Sequence, residues 1–268
     1  MVSVAIFRRK IREYYRLSGR DLPWRRTWDP YRILVSEIML QQTQVERAVS
    51  FYEKFIKRFP DFAALAKSKK SDVLRAWQGL GYNRRALALR DIAKIVVKKY
   101  SGKLPRKREA LESLPGVGPY TAGAVRAFAF NKPGIFVETN IRRIFIHFFF
   151  TGRRNVHDRE ILPIIEKTLD RENPREWYFS LMDYGAMLGA KTKANPNRRS
   201  AHYAKQSKFS GSDREIRGKI LRFMLNRKRV RMENLEQIIP QPKERIVKIV
   251  TALSREGFLR KTKNTVSL

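Results

Sequence analysis

The chain predicts an all-α protein that ends in a small winged-helix-like module. Three observations carry this. Up to about residue 210, apolar residues recur at helical spacing, in segments about 10–18 residues long punctuated by Pro and Gly. Over the same stretch strands are hard to find. Hydrophobic content of 43% with 11% aromatics is enough for a real core, even in a chain of net charge +33.

Taken in order, the spacing predicts helices at 3–17, 30–41, 43–58, 61–66, 70–78, 83–99, 107–112, 119–130, 138–150, 158–169 and 174–187. Asp29-Pro30 supplies an N-cap followed by a first-turn proline. Ser71-Asp72 is expected to start a helix by the same capping logic. Residues 189–212, with Gly189, Pro196, Gly211, several Ser and many Arg or Lys, predict a basic linker. An amphipathic helix follows at 213–226, then a helix–turn–helix pair from Leu235 to Arg255. The last residues, 257–268, form a hairpin with its turn at Lys263-Asn264. This order describes a winged helix; a plain helical accessory domain with a terminal ribbon is the alternative. The module serves either DNA binding or protein docking, and its removal after about residue 212 is expected to leave a folded core. The expected division is therefore 1–188, 189–212 and 213–268.

A sequence pI near 10.9 creates a field that attracts polyanions, and nucleic acid is the first candidate. The charge is spread along the chain rather than gathered beside an apolar segment, which disfavours a membrane surface. There are no cysteines, so disulfides, thiol catalysis, thiolate zinc and thiolate-held iron–sulfur clusters are excluded. His147, His157 and His202 form no helical pair. No apolar run approaches the roughly 18 residues of a membrane span. The basic residues Arg8, Arg9 and Lys10 follow rather than precede the apolar start, unlike a signal peptide. A cytoplasmic, nucleoid-associated monomer is expected.

Leu114-Pro115-Gly116-Val117-Gly118 lies between two helical segments. Gly116 and Gly118 are expected to take backbone angles closed to other residues, so that consecutive N–H groups face one anion. The helix starting at Pro119 presents the positive end of its dipole to the same place. Ligases, polymerases and nucleases carry similar hairpins. A short distance on, Glu138 precedes Thr139, Asn140, Ile141, Arg142 and Arg143. Glu138 is read as a carboxylate for chemistry on a sugar, with helix capping or pairing with Arg142 as the alternative. Glu37 falls at the edge of an apolar arc formed by Tyr31, Leu34, Val35, Ile38 and Met39, where desolvation raises a carboxyl's pKa.

Across roughly residues 8–188 the chain resembles the helix–hairpin–helix DNA glycosylases, and among them the MutY-type adenine DNA glycosylases. The resemblance rests on Asp21-Leu22-Pro23-Trp24-Arg25, on Asp29-Pro30-Tyr31, and on Ser36-Glu37-Ile38-Met39-Leu40-Gln41-Gln42-Thr43-Gln44-Val45. Ala76 to Tyr82, Leu114 to Val125, and Met182-Asp183-Tyr184-Gly185-Ala186-Met187 extend it. It implies two all-α lobes with the base pocket between them, and removal of a base from mismatched or damaged duplex DNA. It implies that Glu37 protonates adenine N7. Gln41, Gln42 and Tyr82 would enter the duplex during base flipping. Tyr120 stands where bifunctional relatives have a Schiff-base Lys, implying base removal without strand cleavage. Glu138 aligns with the Asp that stabilises the oxocarbenium-like sugar, and Asn140 is retained after it. Leu114, Gly116, Val117, Gly118, Asn140, Arg142 and Arg143 would contact DNA.

The sequence departs from the family in three places. Glu replaces Asp at 138, with Thr139 for the intervening Gly. No thiolate stands in the segment after Met187, where relatives hold a four-cysteine iron–sulfur cluster, and the basic residues there are expected to contact phosphate. The tail is too short for the family's 8-oxoguanine-reading domain. No cofactor is expected, apart from a monovalent cation left open at the hairpin. Thymine/uracil or oxidised-pyrimidine (5-hydroxyuracil) excision, and non-catalytic lesion binding, are the alternatives to adenine excision.

Overall fold

A computed structural model describes residues 2–191, 194–205, 208–227 and 229–268. The elements are α1 (Val4–Ser18), α2 (Pro30–Leu40), α3 (Val45–Arg58), α4 (Phe62–Lys67), α5 (Lys70–Trp77), α6 (Arg84–Tyr100) and α7 (Arg108–Glu112). They continue with α8 (Pro119–Phe130), α9 (Thr139–Phe149), α10 (Asp158–Thr168), α11 (Pro174–Lys191), α12 (Asp213–Leu225), β1 (Arg229–Arg231), α13 (Met232–Ile238), α14 (Lys243–Arg255), β2 (Arg260–Lys261) and β3 (Thr265–Ser267). The chain forms two compact units interleaved in sequence, Met1–Gln41 with Lys103–Lys205, and Gln42–Gly102 with Gln206–Leu268.

The first unit is helical and aromatic at its centre. Fully buried Phe7 of α1 meets the rings of Phe145, Phe149 and Trp177, while Phe128 stacks on Phe179 at 4.4 Å. Buried Asp183 receives both arms of Arg25 at 2.7 Å, together with the backbone N–H and Nε of Arg20. Burial pushes the Asp183 carboxyl up, but the Arg25 and Arg20 bonds outweigh it and hold the group below its ordinary value. This pairing joins two of the sequence motifs, residues 21–25 and 182–187, through one buried ion cluster.

The expected basic linker is instead partly built into this unit. α11 runs to Lys191, and a 3-10 turn follows at Pro196–Arg199. Arg199 donates to the carbonyls of Phe150 and Ile146, Asn197 Nδ2 donates to Thr139 O at 2.9 Å, and Val156 bridges Ser200. Turn-forming composition predicted a loop; what fixes these residues is bonding to α9, some 50 residues away in sequence. Thr192, Lys193, Gln206 and Ser207 of that stretch lie outside the described residues.

The second unit is centred on Phe55, in contact with Phe59 and Trp77. The order α12-β1-α13-α14-β2-β3 is that of a winged helix, its antiparallel sheet ordered β1-β3-β2 with Val230 opposite Val266. β1 was not anticipated, since a three-residue strand in a basic run has no periodicity of its own and forms only by pairing with β3. Nor is the module a separate body. Arg75 donates to Leu225 O at 2.6 Å, Lys70 to Gly257 O and Phe258 O at 3.0 Å, and Arg84 and Arg217 both bind Glu256. The units therefore do not follow the expected boundaries at 188 and 212. One cap also differs: α5 starts at Lys70, with Lys69 at the cap position and no side-chain bond, leaving Ser71 inside the helix.

Candidate active site

α2 places Glu37. Asp29 caps it by accepting from Tyr31 N at 2.9 Å, Pro30 occupies the first turn, and every residue from Ile33 to Met39 is buried. Glu37 is only 4% exposed. Burial lifts its pKa to about 7, the charge of Glu138 adds to the rise, and a hydrogen bond from Tyr120 and the charge of Arg25 oppose it. Tyr120, on the first turn of α8, donates its hydroxyl to Glu37 Oε2 at 3.0 Å. Burial, then the charges of Glu37 and Glu138, push the phenol well above its ordinary value, so it remains a donor. Its ring stands edge-on to Phe136, which stacks on Tyr178 at 3.9 Å.

The hairpin is held by its apolar members. Leu114 and Val117 are buried, Val117 N–H donates to Leu114 O at 3.1 Å, and Gly116 is exposed at φ +77°. Gly118 differs from expectation, with extended angles (φ −91°, ψ −179°) open to any residue and free space where a Cβ would stand. Only Gly116 needs glycine for its conformation. Gly118 caps α8, whose first-turn N–H groups lack intrahelical partners, as at any helix start. Gln41 Nε2 reaches both Gly116 O (3.3 Å) and Thr121 Oγ1 (3.2 Å), tying the end of α2 to the hairpin.

Glu138 caps α9. Its Oε1 accepts from Asn140 N at 2.7 Å and Ile141 N at 2.9 Å, with Asn140 Nδ2 at 3.4 Å from Oε2. Burial raises its pKa, against these N–H bonds and the charges of Arg143 and Arg142. The suggested pairing with Arg142 is absent, because that guanidinium makes a two-pronged bridge to Asp158 at 2.6 and 2.7 Å. Arg143 donates to Asn140 Oδ1 (2.7 Å), Asn195 Oδ1 (3.1 Å) and Gly185 O. The arginines thus brace the start of α9. A Cβ at Gly185, which has no signal of its own in the sequence, would stand 2.4 Å from Asn140 O, so its bareness lets α11 approach the Glu138 cap.

Gln42 and Tyr82 belong to the second unit and share an uncommon backbone, at φ +56° and φ +47°. For a ring-bearing residue this costs on the order of 1–2 kcal/mol and clusters at functional positions. Two arginines absent from the sequence reading hold Tyr82. Buried Arg85 bonds to Gly81 O at 2.9 Å and Thr43 Oγ1 at 3.1 Å and lies 5.6 Å from the Tyr82 ring centre; burial lowers its pKa to about 10. Arg214 donates to Tyr82 Oη at 2.9 Å. Neither had a signal in a chain with 58 Lys and Arg.

Among the described residues no group of three or more His, Cys, Asp or Glu side chains could hold a metal ion. Around Pro196–Arg199 the side chains offered are the amides of Asn195 and Asn197 and the guanidiniums of Arg198 and Arg199, a donor set that does not fit an iron–sulfur cluster. No helix among the described residues is long and apolar enough to cross a membrane.

Residues 35–168 match the family model of the HhH-GPD superfamily base excision DNA repair proteins. The chain is 33% identical to an adenine DNA glycosylase of Buchnera aphidicola over 74% of its own length and 56% of that protein's. It is 34% identical to the Mycobacterium tuberculosis adenine DNA glycosylase, over 78% of this chain and 75% of that one. The thymine/uracil-DNA glycosylase of Methanothermobacter thermautotrophicus is 32% identical over 70% of this chain and 86% of that protein. Among solved structures, a thermostable thymine-DNA glycosylase superposes with a TM-score of 0.64 at 30% identity, covering 74% of this chain and 93% of that one. On these matches the chain belongs to the HhH-GPD superfamily of base excision DNA repair proteins and stands among its DNA glycosylases.

Proposed function

We propose that the chain is a monofunctional DNA glycosylase that removes adenine mispaired with guanine or 8-oxoguanine from duplex DNA. The observation that carries this is Glu37, a buried carboxyl with a pKa of about 7 and a tyrosine hydroxyl on one oxygen. Such a group holds a transferable proton at neutral pH. Protonated Glu37 gives that proton to adenine N7, and the bond between N9 and C1′ breaks with its electron pair leaving on the base. The Glu138 carboxylate, fixed by two N–H bonds of α9, stabilises the positive charge left on the sugar. Water adds to C1′ and its proton passes to Glu138. Tyr120 has no amine for an imine, so no strand cleavage follows by that route.

In this reading the hairpin holds a phosphate, and Gln41, Gln42 and Tyr82 hold the duplex open around the extruded base. The basic residues of the winged helix add phosphate contacts. No iron–sulfur cluster takes part, the bonds of Asn195, Asn197 and Arg199 doing the bracing.

Thymine or uracil excision is the second reading, favoured by the thymine/uracil-DNA glycosylase, which this chain covers over 86% of its length. The test is a panel of duplexes carrying A opposite 8-oxoguanine, A·G, T·G, U·G and 5-hydroxyuracil, scored for abasic sites after alkali. Adenine release alone supports the first reading and pyrimidine release the second. Tight binding without release of any base overturns both in favour of a lesion-binding protein.

A further inference from the structure

Tyr82 sits on a loop whose backbone is set by Gly79 (φ +108°), Gly81 (φ +76°) and Tyr82 itself (φ +47°). Beneath the loop, Arg85 is locked to Gly81 O and Thr43 Oγ1. The phenol end has a different support. Arg214 Nη1 donates to Tyr82 Oη at 2.9 Å, with its guanidinium carbon 5.8 Å from the ring centre. Arg214 lies on the first turn of α12, at the start of the winged helix, 132 residues further along the chain.

The support is itself anchored beside the same loop. Arg217, one turn on from Arg214, and Arg84, two residues after Tyr82, both bind Glu256. Those two guanidiniums, the Arg84 bond foremost, hold the Glu256 carboxyl down to about 2, so the clamp stays charged across the working pH range. Ser212 caps α12 through Glu215 N, and Arg245 on α14 fastens Asp213 at 2.7 Å. A residue that must push between bases gains from being held before it meets them, because ordering a ring during binding opposes the step.

Resting on the reading of Tyr82 as a residue that enters the duplex, we propose that Arg214 is a positioning residue for it. The winged helix thereby takes part in base extrusion, beyond any DNA contact of its own. Arg214 touches the phenol and not the reacting atoms, so its effect lies in opening the duplex rather than in bond cleavage.

The test uses the full chain and a mismatched duplex with 2-aminopurine beside the target base, whose fluorescence reports unstacking without excision. Arg214→Ala is expected to lower the fluorescence gain on binding and to slow single-turnover excision on the order of tenfold, the size of losing one hydrogen bond to a charged group. Arg214→Lys should recover part of both. Tyr82→Phe should behave like Arg214→Ala, and the double variant no worse than either. Placing the target base opposite an abasic site, where extrusion is easier, should shrink the defect. The inference is overturned if Arg214→Ala unstacks and excises like the wild type while Tyr82→Ala is impaired. It also fails if the Arg214 and Tyr82 defects multiply, which would make Arg214 an independent phosphate contact. Normal unstacking and excision by Tyr82→Ala would instead remove the reading of Tyr82 on which the inference rests.

Discussion

Tyr120 Oη donates a 3.0 Å hydrogen bond to Glu37 Oε2, so that a phenol held protonated by burial caps a carboxyl that burial keeps half protonated near neutrality. The bond selects among opposing effects. Alone it favours the carboxylate, yet desolvation is the larger influence and the net pKa rises from 4.5 to about 7. Glu37 thus accepts a hydrogen bond from Tyr120 and still carries a proton on part of the molecules near pH 7.

The first prediction is a pH dependence. Excision that uses protonated Glu37 should fall about tenfold per unit above roughly pH 7. Stability should follow the same group. A carboxyl raised in the folded state contributes stability that is fully present below pH 4.5, its unfolded value, and is lost as pH rises through about 7. The full change is on the order of 3 kcal/mol. Glu37→Gln should flatten this window, abolish purine excision and retain DNA binding. Paired pH–rate and pH–denaturation curves check it.

Glu138→Gln should remove excision by ~100-fold or more while leaving affinity intact, because a fixed charge favours the transition state over the neutral substrate. Glu138→Asp distinguishes two architectures. A capping bond set built around the longer chain, to Asn140 N and Ile141 N, predicts a slower enzyme with the shorter acid. A faster Glu138→Asp enzyme would refute that.

Gly185→Ala should damage activity from outside the pocket. Its Cβ would stand 2.4 Å from Asn140 O, and α9 must shift to relieve the clash. A loss of about 1–3 kcal/mol in stability is expected, together with a fall in single-turnover rate of roughly tenfold or more, as small displacements of reacting groups are costly. An unchanged rate with lowered Tm would mean that the Glu138 cap does not depend on this contact.

Ending the chain at 212 should disrupt the second unit. Arg75 loses Leu225 O, Lys70 loses two carbonyl acceptors, and Arg84 loses Glu256. Hydrogen exchange over residues 42–102 should accelerate in the truncated chain, whereas unchanged protection would make the winged helix separable after all.

DNA affinity should fall steeply with salt, since a chain of net charge +33 displaces many counterions. The purified protein is expected to hold no stoichiometric iron and to keep its fold in a strong chelator. Iron analysis, and circular dichroism before and after chelation, test this.

Local chemistry in the sequence determined much of the main chain. Asp29, Pro30 and the apolar spacing after them were sufficient to place α2 and put Glu37 on it, since capping and helical periodicity act within a few residues. The same holds for the hairpin before Pro119 and for α9 after Glu138. Only the tertiary structure decided what those residues do to one another. The pKa of Glu37 is raised by burial and then tempered by Tyr120, 83 residues away, and the Arg25–Asp183 cluster spans 158. The composition of residues 189–212 suits a linker, yet within it the Asn197 amide and the Arg199 guanidinium satisfy carbonyls of α9 and its flanks. Arg85 and Arg214 were invisible among so many basic residues; burial and a partner at hydrogen-bonding distance distinguish them. Those properties arise from the packing of distant segments, which short-range pattern does not encode.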